Sequence, residues 1–246
     1  MRARWPGWLG FLLAVVSLSA CGQAGLGKQY EYEEEIYLDT DGSATVIVNA
    51  SLPALVALRG LALPVDPSAR FDRRSLRGLY EVEGVKVTRV SRPWRRKGRR
   101  FIQVRLEVTD ITKLPASRPF SWSTYELSVR DGVMSYLQTV GAPAAGTPTN
   151  AGWDGSELVA FRLHLPSRIQ YHNAPSKQVE RGNILGWEQP LKTRLTGELL
   201  RLEVRMDRES ILYRTVTLFA LAFAAAMALL AAIIWWVVRM GRASTI

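Results

Sequence analysis

The strongest constraint on this chain lies near its C-terminus. Thr215 to Val238 is a run of 24 residues without a charged side chain, and a helix of roughly 20 residues crosses a hydrocarbon core. The spacing predicts a membrane span, so the sequence before it belongs to a domain fixed to a bilayer. Trp235 and Trp236 fall where an aromatic belt would lie, Arg239 and Arg242 follow as a short positive tail, and Tyr213 can anchor the opposite interface. Arg208 and Arg214 flank the other end of the run, so charge alone does not orient it.

The N-terminus supplies the orientation. Arg2 and Arg4, the apolar segment Trp8 to Val16 and the small residues Ser19 and Ala20 follow the order of an export signal. Leu18-Ser19-Ala20-Cys21 resembles a bacterial lipobox, and Cys21 is the only cysteine. Its thiol is therefore expected to carry a lipid, and with no second thiol disulfides play no part in stability. These readings divide the chain into a lipoprotein signal peptide over 1–20, a lipidated linker over 21–27, an extracytoplasmic domain over 28–212, a transmembrane helix over 213–238 and a cytoplasmic tail over 239–246. The protein is expected at the extracytoplasmic face of the cytoplasmic (inner) membrane.

Between the two anchors the pattern is that of an α+β domain, an antiparallel β-sheet with two N-proximal helices. In "YEYEEEIYLDTDGSATVIVNA", Tyr30, Tyr32, Ile36 and Leu38 alternate with acidic residues, and Ala44, Val46 and Val48 alternate with polar ones. Asp41-Gly42 supplies a hairpin turn. Asp39-x-Asp41-Gly42 also matches the start of a calcium loop, but the third liganding position and the distant glutamate are missing. Ser51 and Pro53 open a short helix ending near Gly60, and a second helix is expected from Asp66-Pro67 to about Leu79. A second hairpin, 120–141, turns at Asp131-Gly132. The stretch 141–156 is loop-like, and alternating strands follow near Val159, Trp187 and Val204.

The most charged segment is "RPWRRKGRR". Arg92, Trp94, Arg95, Arg96, Lys97, Arg99 and Arg100 fall on a hairpin arm and its tip around Gly98, a finger expected to touch anionic lipid or another acidic envelope polymer, with Trp94 available at an interface. A solvated loop is the alternative. Candidate partners are membrane lipid, an envelope glycolipid or a membrane protein; nucleic acid is not expected for an exported domain. His164 and His172 are the only histidines, and neither belongs to a spaced zinc set. Nucleotide-binding glycine motifs and a nucleophile elbow are absent from the sequence. Alternation places most of Glu31 to Glu35 on a solvated strand face. No catalytic residue, metal site or cofactor is expected.

The order of lipobox, "DGSATVIV", "RFIQVRLEV", "NAPSKQVERGNILGWE" and one C-terminal span resembles the LppM-type family of bacterial lipoproteins. That resemblance covers nearly the whole chain. It implies an α+β domain of lipid-binding character, with no catalytic residues to carry over. The chain departs from the mycobacterial members in its strongly basic hairpin. Together these readings imply a tethered protein that works by binding, with an assembly subunit of an envelope complex as the rival.

Overall fold

In the computed structural model, residues 28–66, 68–144 and 151–243 are described. Cys21, the signal segment and the linker lie outside them. The expected α+β class is found, with eleven strands in two sheets among the described residues. β1 (Tyr30–Leu38), β2 (Ala44–Ser51), β3 (Val85–Val90), β4 (Trp94–Arg96), β5 (Arg99–Val108), β8 (Leu158–His164) and β10 (Ile184–Pro190) form the first, in the order β10-β8-β1-β2-β5-β3 with β4 also on β5. β6 (Ser123–Arg130), β7 (Val133–Val140), β9 (Ser167–His172) and β11 (Leu200–Ser210) form the second, in the order β6-β7-β11-β9. Pairing is antiparallel except between β1 and β8, which run parallel. The long connection between those two strands makes this pairing possible.

The helices show how local chemistry sets the boundaries. α1 (Leu52–Arg59) starts where Ser51 Oγ accepts from the Ala54 amide at 3.1 Å, and stops at Gly60, whose φ of 62° is the left-handed cap that glycine adopts without strain. α2 (Arg73–Tyr80) starts later than the sequence suggested. Asp66 closes its own turn on Ser68, and the Arg100 guanidinium takes the carbonyls of Pro64, Asp66 and Ala69 at 2.6–2.7 Å. Backbone acceptors that would carry the first helical turn are thus drawn to Arg100, and Asp72 becomes the cap instead, accepting from Arg74 N at 2.8 Å. The short helix α3 (Leu191–Leu195) precedes β11.

One continuous apolar core joins the inner faces of both sheets with α1, α2 and α3, from Tyr32, Ile36 and Val46 through Leu55, Leu76 and Tyr136 to Leu191 and Val204. The aromatic hairpin residues mostly fill this core: Tyr125, Met134 and Tyr136 are buried, while Val129 is exposed. α4 (Ile211–Ala243) then continues from β11 without an intervening residue. Its stretch Ile211–Val237 is long and apolar enough to span a membrane, and its most apolar window is 0% buried. The junction is held by the Ile211 amide on the Pro166 carbonyl at 3.0 Å, by Ser210 Oγ accepting from Tyr213 N, and by Arg214 against Asp207 at 3.4 Å.

Strand register fixes which end of the domain faces that junction. Tyr37 pairs with His164, and the Leu38–Ala44–Val108–Val85 ladder lies level with the end of β8, next to Pro166. The opposite ends of the same strands carry Lys28, Ser51 and Phe101, and beyond them the tip of the β4–β5 hairpin. Nine residue steps along β5 lead from Val108 to Arg99, which at about 3.3 Å per step places the tip about 30 Å along the strand direction from the level of the root of α4.

Candidate functional site: a basic finger and two buried charge networks

The finger expected from the sequence is a β4–β5 hairpin closed at Lys97-Gly98, where both residues take positive φ (47° and 75°). The structure divides its residues into two groups. Arg92, Trp94, Arg95, Arg96 and Lys97 are exposed; the Trp94 ring lies over Phe101 with 6.0 Å between centroids, and Arg96 donates to the Lys28 carbonyl at 3.0 Å. Arg99 and Arg100 are only 6% exposed and face the protein. Arg100 holds the 64–69 loop, as described above. Arg99 donates to the Gly152 carbonyl and places Nη2 3.1 Å from Glu31 Oε1 and 3.6 Å from Glu157 Oε1. The Trp153 indole donates to the other oxygen of Glu31. These two arginines therefore tie the tip strand of the finger to the domain and are nearly closed to solvent.

A second group of arginines, not connected with the finger by sequence alone, stands beside it. α2 packs its Leu76 and Tyr80 inward and turns Arg73 and Arg74 outward. With Arg70, Phe71, Asp72, Arg77 and Val90 they line an open cleft between α2 and β3. The acidic groups of this face are already engaged: Asp72 caps α2, Asp66 accepts from Ser68, and Glu81 lies 3.2 Å from Arg77. Hydrogen bonds from Ser68 and from Ser75 and Arg74, respectively, hold the Asp66 and Asp72 carboxyls below their ordinary values. Val90 leads directly into Arg92 and the finger; there Arg95, cross-strand from Arg100, continues the cleft side, whereas Arg96, cross-strand from Arg99, turns to the opposite face of the sheet.

Between the sheets lies a charge network that sequence reasoning missed. Glu34 is 1% exposed, and its side chain accepts from Arg59 at 2.8 Å, Tyr32 at 2.7 Å, Gln138 at 2.8 Å and Tyr125 at 3.0 Å. Arg59 also donates to Tyr32 and stacks over Trp122, its guanidinium carbon 3.5 Å from the ring centroid. Desolvation pushes the Tyr32, Tyr125 and Tyr136 phenols well above the ordinary tyrosine value. The signal was present: Glu34 shares strand parity with Tyr32, Ile36 and Leu38, the set that points inward. The expectation that the acidic run is mostly solvated is corrected for Glu31 and Glu34, both buried by paired arginines.

The remaining candidates are local. Asp41 closes the β1–β2 turn by accepting from Ser43 at 2.7 and 2.9 Å. His164 stacks on Tyr37 at 3.8 Å with Glu35 3.7 Å away. Among the described residues no group of three or more His, Cys, Asp or Glu is arranged to hold a metal ion.

No protein-family model matches the sequence, and no curated protein matches it. Among solved structures, the NMR structure of the folded domain of Mycobacterium tuberculosis LppM matches with a TM-score of 0.41 and 12% sequence identity, covering 76% of this chain and 95% of that one. At that identity and score no residue role passes from one protein to the other.

Proposed function

We propose that this protein is a membrane-tethered extracytoplasmic lipoprotein whose folded domain acts by binding, not by catalysis, and that its ligand is a phosphate-bearing membrane lipid or envelope glycolipid. In this reading α4 is the permanent anchor and Cys21 a second, acyl one. The carrying observation is the succession of exposed basic residues from the α2–β3 cleft into the β4–β5 finger, where Asp66 and Asp72 are held by capping bonds and Glu81 occupies only Arg77. Arginine suits phosphate because its planar fork donates two parallel hydrogen bonds. Trp94 offers an amphipathic ring beside those charges, suited to a sugar or a lipid interface. The rival, an assembly subunit in a membrane complex, is supported by the unburied face of α4.

Mass spectrometry of material co-purifying with the full-length protein separates the two. The binding reading expects a phosphate-bearing lipid or glycolipid near unit stoichiometry, reduced in Arg95→Ser/Arg96→Ser. Equal recovery from variant and parent, or recovery of a membrane protein alone, would sink it.

A further inference from the structure

The height of the basic surface restricts what can reach it. At physiological ionic strength the Debye length is about 8 Å, so a bilayer's surface potential falls to a few per cent at about 30 Å. The finger tip lies at that distance along the strands from the root of α4, and the junction is pinned by Pro166, Ser210 and Arg214. With the strands upright over the root of α4, the finger gains little from head groups of the bilayer that α4 spans. Its orientation points the same way. Val90 pairs with Val104 at mid-height and Arg96 pairs with Arg99 at the tip, so cleft and finger follow one another along the strands. A flat head-group layer meets one end of such a track, whereas a chain follows its length.

We propose that the ligand is a linear, phosphate-bearing polymer that runs along the strands from the α2–β3 cleft to the finger tip. Arg73 and Arg74 take its membrane-near part and Arg95 and Lys97 its far part, and the chain turns over the tip toward Arg96 and Trp94 on the other face. This rests on the binding reading above and names the form in which the phosphates are presented: on a chain rising from the membrane or crossing above it.

The test uses the full-length chain in nanodiscs of zwitterionic lipid. Long-chain inorganic polyphosphate is titrated at several salt concentrations, in parallel with vesicles containing an anionic phospholipid. Polyphosphate is expected to bind with a steep salt dependence. Arg73→Ser/Arg74→Ser and Arg95→Ser/Arg96→Ser are each expected to lower the slope of log K against log salt by roughly 1.4, at about 0.7 per phosphate contact. The four substitutions sit on exposed side chains, and an unchanged melting temperature confirms intact folding. Vesicle binding that is lost in the finger variant but untouched in the cleft variant, with no polyphosphate binding, would overturn the polymer while leaving a head-group-binding domain. If the parent bound neither probe, the binding reading itself would fall.

Discussion

The Glu34–Arg59 pair offers the sharpest test of how this domain is held together. Both side chains are at most 1% exposed, so substituting one leaves the other as a buried charge without its partner, a loss of about 3–5 kcal/mol. Glu34→Gln strands the Arg59 guanidinium between Trp122 and Tyr32. Arg59→Met strands the Glu34 carboxylate, although Tyr32, Tyr125 and Gln138 still donate to it. In a domain of this size each kcal/mol moves Tm by about 2–4 °C, so each single variant is expected to melt about 6–20 °C lower. The double variant Glu34→Gln/Arg59→Met should behave differently. The new amide can accept from Gln138 and Tyr125 through its oxygen and donate to the Tyr32 hydroxyl, which Arg59 no longer occupies. No charge remains, and methionine fits the apolar stem's path over Trp122. The double variant is therefore expected to recover at least about 2 kcal/mol relative to the sum of the singles. Denaturant titration of the full-length protein followed by tryptophan fluorescence measures all three. A single-variant loss under about 1 kcal/mol, or strict additivity in the double, would refute the assignment of an electrostatically closed pair.

Other positions give independent checks. Arg99→Ser, which removes the clamp on Glu31, Glu157 and Gly152, should cost about 3 kcal/mol, whereas exposed Arg92→Ser should stay within about 0.5 kcal/mol; equal losses in denaturation would show that the finger is not divided as described. Burial holds the His164 imidazole below its ordinary 6.5, with Arg162 adding to the effect and Glu35 and Glu180 opposing it. The unfolded chain then protonates first, so this contribution is complete above about pH 6.5 and is lost as pH falls through the lower folded value. His164→Gln should flatten that limb of a Tm against pH profile, and an unchanged slope would assign it elsewhere. At Gly141 an added Cβ would sit 2.6 Å from the Trp122 carbonyl oxygen, which receives the Gly141 amide at 2.7 Å. Gly141→Ala should force β6 and β7 apart there at a cost of about 1–3 kcal/mol, and a neutral melt would contradict that contact.

Most of the fold was legible because its signals are local. Alternation marks β1, β2, β5, β8 and β11, the Asp131-Gly132 turn takes the two positive φ angles its hairpin needs (50° and 76°), and Ser51 with Gly60 brackets α1. What remained hidden depends on contacts distant in sequence. The start of α2 is set by Arg100, some 30 residues away, which draws off the carbonyls of Pro64 to Ala69. The division of the finger has the same origin: Arg99 is adjacent to Gly98, but Glu31 and Glu157 reach it from β1 and from the segment before β8. Glu34 is the instructive case, because strand parity pointed inward while its charge argued for solvent, and only Arg59 reconciles them. The height of the basic surface required the parallel β1–β8 register, which no single strand reveals.

That register also sets a condition on the two expected anchors. Lys28 lies ten residues above the level of Leu38, about 33 Å along the strands. The seven peptide steps from Cys21 to Lys28 reach about 25 Å even when fully extended. With the strands upright over the root of α4, an acyl group on Cys21 falls short of the outer leaflet by about 8 Å. Both anchors can engage one bilayer only if the strand axis leans by roughly 40°, since 33 Å multiplied by the cosine of that angle is about 25 Å. The finger tip then stands about 23 Å above the surface, still nearly three Debye lengths away, so the electrostatic separation survives the lean. Acylation is thus expected to act as a tilt control. Energy transfer from a dye on an Arg168→Cys control site, next to Ser167 which pairs with Ser210, and on a Lys97→Cys tip site to acceptor lipids measures it, after Cys21 is acylated in vivo or removed as Cys21→Ala. The tip is expected to sit closer to the membrane in the acylated protein by about 7 Å, with little change at the control site beside the root of α4. Inserting ten Gly/Ser residues into the linker should restore the larger height. Equal tip heights with and without the acyl chain would mean that the two anchors do not share one bilayer as an upright or leaning pair.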